Sequence, residues 1–384
     1  MEKNVQRSAG HNAAVYLHQA FTLYQAGGLQ EAEAICREVL RLYRHHPDAS
    51  HLIALIAHGG GSTEQALRTV DWALKHSPRH PLLLNSRGMF LASLGKHKEA
   101  VLSFRSAIAY RPDFPVARGN LLKSLVKTNR HEDTIKEANI YISMASSDAN
   151  AHYLKGYVLQ EMNRLLDAKA SYDEALALNP RHSEALNNRG LILSALGFHN
   201  EALADYDAAT NSQPDFPEAL NNKGVMLENL GRHEEALAAF EQATRSKPDF
   251  FGALSNLAGI YHIHGRQRDA FAAIQRCIQL APNDLSARLQ HLIFHLPILY
   301  EKTGDIAQAR TAYETELHQL CKGLENVNDL GEHEHAVGIG LPFFLAYQGI
   351  NNHALQSRYG SLMCEISARA GTSLCRTSPP PPAR

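Results

Sequence analysis

The sequence predicts an all-α fold built from repeated pairs of antiparallel helices, and three observations support this prediction. The first is a gapless repeat of 34 residues. The second is the return of small side chains at two fixed places of each repeat, where two helices can approach closely. The third is the three- and four-residue spacing of the apolar residues, which is typical of amphipathic helices.

The repeat is clearest in three consecutive segments that begin at Ser183, Pro217 and Phe251 and align without gaps. The same frame extends backwards to repeats that begin at Ala149, Pro115, Pro81, Pro47 and Ala13. Eight repeats, numbered here in chain order, therefore fit residues 13–284.

The small residues occupy the eighth and twentieth places. The twentieth place is alanine in all repeats but one, where it is Thr134, and the eighth place is large only at Leu122. In the other seven repeats the eighth place holds Ala20, Ala54, Gly88, Gly156, Gly190, Gly224 and Ala258.

The fifteenth place predicts where the first helix of each repeat ends. Glycine and asparagine are the residues that most readily adopt the left-handed backbone conformation that follows a helix. This place holds Gly27, Gly61, Gly95, Asn129, Asn163, Gly197, Gly231 and Gly265. Proline, which stops a helix, closes six repeats, at Pro78, Pro112, Pro180, Pro214, Pro248 and Pro282.

Aromatic residues near the twenty-fourth place (Phe104, Tyr172, Tyr206 and Phe240) complete a pattern that resembles the tetratricopeptide repeat family. The resemblance implies an α-solenoid, a right-handed superhelix of eight to nine repeats with a helical C-terminal cap. It also implies that the first helices line a concave groove that holds protein or peptide partners.

The fourth repeat departs most from the pattern. It has Leu122 and Thr134 at the small places and Tyr141 where alanine is usual. One interpretation is a diverged repeat with compensating neighbours, and the other is a change of superhelical pitch or a flexible joint.

Beyond the eight repeats we expect a stretched ninth capping repeat at 285–323, because Gly304 lies five residues later than the period predicts. Its first helix should be long, from about Leu289 to Lys302, and be kinked or split by Pro297. Residues 1–12 form a polar N-terminal extension, 324–370 a helical connector with an amphipathic helix near His353–Arg369, and 371–384 a proline-rich tail.

The segment from Pro342 to Ile366 resembles the connector between the repeat arm and the catalytic half of bacterial SPINDLY-type, O-linked N-acetylglucosamine transferase-like proteins. The catalytic histidine and nucleotide-sugar contacts of that family have no counterpart here. The resemblance therefore implies a recognition arm for a protein O-glycosyltransferase whose catalytic half is missing or on another chain.

Asparagine recurs at the fifth and sixth places, which face the groove in the resembled fold. A carboxamide donates and accepts hydrogen bonds, so it can bind a peptide backbone whatever the peptide's side chains. The resembled transferases carry such an asparagine ladder; the alternative is that these amides bridge neighbouring repeats or face water. The candidate peptide-binding residues are Asn85, Asn120, Asn187, Asn188, Asn221, Asn222 and Asn256.

Other classes of function lack support in the sequence. The formal net charge is −1 and groove-facing positions such as Lys123, Tyr153 and Glu184 mix charge types, which argues against nucleic acid. No stretch is apolar and long enough to span a membrane. Five scattered cysteines without a Cys-x-x-Cys motif predict a reducing, cytoplasmic location. We expect no catalytic residues and no cofactor.

The 22 histidines raise the question of a metal site. His291 and His295 are four residues apart, and His333 and His335 are two apart. A histidine pair needs a third ligand to hold zinc, and the spacing shows none nearby. We therefore expect packed or surface histidines and no metal. Taken with the repeat pattern, the sequence predicts a scaffold that binds extended protein segments.

Overall fold

The computed structural model describes residues 2–297, 302–324, 345 and 351–369. Every regular element in these ranges is a helix, and the helices follow one another in antiparallel pairs, which confirms the predicted all-α array of paired helices. Among the described residues, no helix has the length and apolarity needed to cross a bilayer. Three predicted features lie outside the described residues: the proline-rich tail (371–384), most of the helical connector (324–370), and the pair His333 and His335.

The chain divides into two compact bodies, the N-terminal body Met1–Ile192 and the C-terminal body Leu193–Arg384. The first helix, α1, also includes most of the predicted N-terminal extension. The helices that begin in the N-terminal body are α1 (Glu2–Gln25), α2 (Leu29–Leu42), α3 (Pro47–Gly59), α4 (Thr63–His76), α5 (Pro81–Ser93), α6 (His97–Tyr110), α7 (Pro115–Lys127), α8 (His131–Met144), α9 (Ala149–Glu161), α10 (Leu165–Leu178) and α11 (Ser183–Ala195).

The C-terminal body continues the pattern and ends in a group of three helices. Its elements are α12 (His199–Ser212), α13 (Pro217–Asn229), α14 (His233–Ser246), α15 (Phe251–Ile263), α16 (Gln267–Leu280), α17 (Leu285–Phe294), α18 (Thr303–Leu324) and α19 (His353–Arg369). The last of these has the bounds that its apolar spacing predicts.

The turn inside each repeat has the left-handed backbone that the fifteenth place predicts. The six glycines have φ between +72° and +85°, and the two asparagines, Asn129 and Asn163, have φ of +54° and +57°. These are the residue types that adopt this region with least strain, so local sequence alone sets where the first helices end.

Close packing inside a repeat depends on complementary sizes at the eighth and twenty-fourth places. A Cβ added to Gly224 would lie 2.5 Å from Cε1 of Phe240, and one added to Gly156 would lie 2.7 Å from Cε1 of Tyr172. Glycine is therefore required where an aromatic ring stands opposite. Where the eighth residue is alanine, the opposite residue is smaller, as in Ala20 with Cys36, Ala54 with Val70, and Ala258 with Ile274.

The fourth repeat keeps its packing by reversing these sizes. Leu122 at the eighth place packs against Ala138 at the twenty-fourth, and both are fully buried in one cluster. Tyr141 lies against Gly119, where an added Cβ would be 3.4 Å from the phenol oxygen, an ordinary van der Waals distance. The Tyr141 hydroxyl donates a 2.8 Å hydrogen bond to Oδ2 of Asp148. These contacts support the interpretation of a diverged repeat with compensating neighbours.

The ninth repeat differs from its prediction. Helix α17 runs from Leu285 to Phe294, so the helix expected from about Leu289 to Lys302 is interrupted just before Pro297, the residue expected to kink or split it; residues 298–301 lie outside the described ranges. Proline lacks the N–H that would continue the helical hydrogen bonds and clashes with the preceding turn, which accounts for the early end. Helices α17, α18 and α19 share one core, to which Leu292, Tyr313 and Leu362 contribute fully buried side chains.

Candidate peptide-binding surface

The candidate asparagines on first helices form hydrogen bonds between consecutive repeats. In the N-terminal body, Nδ2 of Asn120 on α7 donates to Oδ1 of Asn85 on α5 at 3.1 Å. In the C-terminal body, Nδ2 of Asn256 on α15 donates to Oδ1 of Asn221 on α13 at 2.9 Å. In both pairs the fifth place of one repeat meets the sixth place of the next.

The same contact recurs with other residue types, which the sequence analysis missed. Nε2 of His51 lies 2.8 Å from Oγ of Ser86, and Oγ of Ser255 donates to Oε1 of Gln290 at 3.1 Å. The signal that would have revealed it is a polar residue at the fifth place followed by another at the sixth place of the next repeat. These polar contacts tie α3 to α5 and α5 to α7 in the N-terminal body, and α13 to α15 and α15 to α17 in the C-terminal body.

The asparagines of the sixth repeat make a different network. Nδ2 of Asn187 donates to Oδ1 of Asn188 at 3.1 Å, and Nδ2 of Asn188 donates to the hydroxyl of Tyr172 at 3.4 Å. That hydroxyl donates in turn to Oε1 of Gln160 at 2.9 Å. Asn222 lies half-buried on α13.

Burial separates the candidates into two groups. Asn85 and Asn187 are only 6 % and 5 % exposed, so they lie beneath the surface and hydrogen-bond to the asparagines that reach it. The others are half-buried and reach solvent: Asn120, Asn188, Asn221, Asn222 and Asn256. The bridging considered as an alternative is thus present in two pairs. It leaves peptide binding open, because a carboxamide has two N–H donors and two acceptor lone pairs, of which one bridge uses a single group.

A cavity of about 720 Å³ lies beside Asn120 in the N-terminal body. Its wall includes the side chains of Lys123 and Lys127 on α7 and of Tyr153 and Tyr157 on α9, and Lys123 and Tyr153 are among the residues expected to face the groove. Because the first helices of consecutive repeats lie side by side, residues from three repeats meet here, with Met89 on α5 also lining the cavity. The cavity therefore combines an amide, two ammonium groups and two phenol rings.

The wall of the cavity carries a tyrosine that can donate a hydrogen bond. Burial raises the pKa of the Tyr153 phenol, so this group stays protonated and can donate a hydrogen bond at neutral pH. The carboxylate of Glu184 lies near this wall, because its charge adds to the rise in the pKa of Tyr153, and its Oε2 is 3.2 Å from Nδ1 of His182.

The buried cysteines behave as apolar side chains. Cys36 and Cys277 lie on second helices with no exposed surface. Burial raises the pKa of Cys36 to about 11 and that of Cys277 to about 12, so neither thiol ionises at neutral pH.

Comparison with known proteins places this arrangement in a family. A tetratricopeptide repeat model matches more than half of the chain, and a second tetratricopeptide repeat model matches a further segment at the N-terminal end. The matched residues are 51–115, 153–197, 189–249 and 229–284 for the first model and 13–46 for the second.

Individual relatives are more distant. The chain is 29 % identical over 133 residues to a Homo sapiens protein, the Protein O-mannosyl-transferase TMTC3, which covers 33 % of this chain and 14 % of that protein. The APC/C hetero-tetramer Cut9–Hcn1 matches 76 % of this chain and 59 % of the compared chain with a TM-score of 0.52 at 16 % identity. The Pseudomonas aeruginosa protein pilF matches 56 % of this chain and 96 % of its own with a TM-score of 0.50, also at 16 % identity. These two structures share the fold.

Proposed function

We propose that this chain, which belongs to the tetratricopeptide repeat family, is a scaffold that binds extended segments of partner proteins along its first helices. The observation that carries the proposal is the cavity beside Asn120, where a solvent-reaching carboxamide adjoins two lysines and two tyrosines. Helical repeat arrays offer extended surfaces of this kind for proteins and peptides.

The amides suit a peptide backbone. An extended peptide presents alternating N–H and C=O groups, and the amide of Asn120 can offer the second N–H and the carbonyl that the bridge to Asn85 does not use. Asn256 offers the same group in the C-terminal body, held in the same way by Asn221. Because the bridge fixes each carboxamide in one orientation, little side-chain entropy is lost when a peptide binds.

The rest of the cavity suits peptide side chains. The phenol rings of Tyr153 and Tyr157 give apolar faces with a polar edge, which bury contact area at low entropic cost. Lys123 and Lys127 provide positive charge on one wall, which would attract an acidic side chain or a terminal carboxylate. Hydrogen bonds from the amides to the peptide backbone would then give affinity for peptides in general, and the cavity would add a preference for particular peptide side chains.

The test starts with peptides selected from a random display library on the purified chain. Replacing Asn120, Asn188, Asn222 and Asn256 with alanine should weaken binding of unrelated selected peptides together, because the lost contacts are to backbone. Each neutral hydrogen bond contributes about 0.5–1.5 kcal/mol, so the four together give roughly 2–6 kcal/mol, or about 30-fold to 10⁴-fold in Kd.

The matched control replaces Asn200 and Asn211, which are exposed on the second helix α12, and should leave Kd unchanged. Circular dichroism at the binding temperature establishes that each variant is folded. Normal affinity in the folded quadruple variant would contradict the proposal and leave the amides as structural bridges alone.

A second candidate is that the chain recognises substrates for a protein O-glycosyltransferase. It is supported by the similarity over 133 residues to an O-mannosyl-transferase and by the connector resemblance from Pro342 to Ile366. The chain covers only 14 % of that relative. A link to transferase activity is therefore part of this second candidate alone and does not follow from membership of the tetratricopeptide repeat family.

Two measurements separate the candidates. A recognition arm should select peptides rich in serine and threonine, which are the acceptors of O-linked sugars, and the purified chain alone should transfer no sugar from nucleotide-sugar donors. Selected peptides without serine or threonine would remove this candidate and leave the general scaffold intact. Sugar transfer by the chain alone would show a catalytic site that neither candidate includes.

We propose a cytoplasmic location from the cysteines. Cys36, Cys277 and Cys364 are free thiols and lie on three different helices, which suits a reducing compartment. Cell fractionation with an epitope-tagged chain tests this, and recovery in an oxidising compartment would contradict it.

A further inference from the structure

Two histidines and a glutamate meet where α17 packs against α18 in the C-terminal body. One ligand atom from each of His291, His295 and Glu316 lies within 4.8 Å of the other two. Nδ1 of His291 is 3.3 Å from Oε1 of Glu316, and the two imidazole rings stand 5.2 Å apart and nearly perpendicular. Glu316 is the third group that the spacing of the histidine pair did not reveal, so the expectation that none lies nearby is wrong.

The cluster is partly withdrawn from water. The side chains of His291 and Glu316 are 16 % and 27 % exposed, and the ring of Phe271 lies 5.3 Å from that of His291 and 5.0 Å from that of His295. Nδ1 of His291 is buried and makes no hydrogen bond of acceptable geometry, although Glu316 is close. Oε1 of Glu316, 3.3 Å away, is the ion-pair partner of this nitrogen, and a bound ion would contact both atoms.

We propose that His291, His295 and Glu316 bind a divalent transition-metal ion of the zinc class, with water completing the coordination. Two imidazole nitrogens and one carboxylate oxygen are a donor set that Zn²⁺ takes with a fourth position open. Tetrahedral zinc brings its ligand atoms to about 3.3 Å from one another, so the side chains need only close by rotation. A bound ion would link α17 to α18 through Nδ1 of His291 and the carboxylate of Glu316.

The backbone positions of the three residues are fixed by the packed helices α17 and α18. His291 lies in the last turn of α17, and His295 follows as the residue that caps this helix with right-handed helical backbone, so the two rings share one face. Glu316 is on the face of α18 next to Tyr313 and Leu317, which are fully buried in the common core of α17, α18 and α19. The site therefore rests on packed helices.

The test uses the full purified chain, a thiol-free reductant and two ions. Titration with Co²⁺ should produce visible absorption bands that saturate at one equivalent and disappear when Zn²⁺ is added. Zn²⁺ should also raise Tm. His291→Gln, His295→Gln and Glu316→Gln should each weaken zinc binding by about tenfold or more, since even changes behind the ligands cost that much.

The controls are Glu314→Gln and His318→Gln, which alter exposed residues of the same helix α18 and should bind zinc as the unmodified chain does. Failure of the unmodified chain to take up Co²⁺ or Zn²⁺ overturns the proposal without any variant. Equal affinity in the three ligand variants and the controls overturns it too, because the ion would then be held by other histidines. Far-UV circular dichroism checks the fold, and three separate substitutions keep the test open if one variant unfolds.

Discussion

The packing of Gly224 against Phe240 gives a quantitative test of the repeat. In Gly224→Ala the new Cβ would lie 2.5 Å from Cε1, 2.7 Å from Cδ1 and 2.9 Å from Cζ of the ring. Real Cβ atoms do not approach ring carbons this closely, so α13 and α14 must separate or the ring must leave its rotamer. Phe240 has no exposed surface, which leaves the ring little room to move.

The magnitude follows from two opposing effects. Overpacking a well-filled core costs about 1–3 kcal/mol, whereas alanine is the better helix former by about 1 kcal/mol. The net loss in unfolding free energy for Gly224→Ala is therefore about 0–2 kcal/mol. Gly259→Ala is the matched control, because Gly259 lies inside the neighbouring α15 with no atom within 4 Å of its added Cβ, and it should gain about 1 kcal/mol.

The difference between these two variants isolates the overpacking cost of about 1–3 kcal/mol. Urea denaturation followed by circular dichroism measures it. The double variant Gly224→Ala/Phe240→Ile should recover part of the loss, because it reproduces the alanine and isoleucine found at Ala258 and Ile274 in the next repeat. If Gly224→Ala stabilises the chain as much as Gly259→Ala does, the argument from complementary sizes is refuted.

Three further predictions follow the same reasoning. Leu122→Ala should lower the unfolding free energy by about 2–5 kcal/mol, since Ala138 opposite is too small to fill the cavity, and urea denaturation would measure it. Burial lowers the pKa of His51 from 6.5 to about 4, so the unfolded chain takes up this proton first as pH falls. The contribution of His51 to stability should be complete above pH 6.5 and be lost as pH falls towards about 4, and His51→Gln should flatten that decline in melts across pH. Gly231→Ala should cost about 1–2 kcal/mol because φ there is +73°, whereas Asn129→Gly should be neutral or stabilising in the same assay.

The repeat and its turns could be predicted because they depend on neighbouring residues. Gly231 and Asn163 mark the ends of first helices through the backbone region they can adopt, which needs no tertiary contact. The small eighth place indicated close helix packing, and the glycine at Gly156 against Tyr172 confirmed it. The sequence also placed α19 at its observed bounds through apolar spacing.

The tertiary structure decided which side chains meet across helices. Asn120 contacts Asn85 in the preceding repeat, and Glu316 on α18 contacts His291 on α17. These contacts depend on the angle and distance at which the helices pack, which cannot be read from the sequence. The same holds for the contact between Gly119 and Tyr141 in the fourth repeat. Local backbone preference is thus readable from sequence, whereas the geometry of a surface site depends on how helices pack.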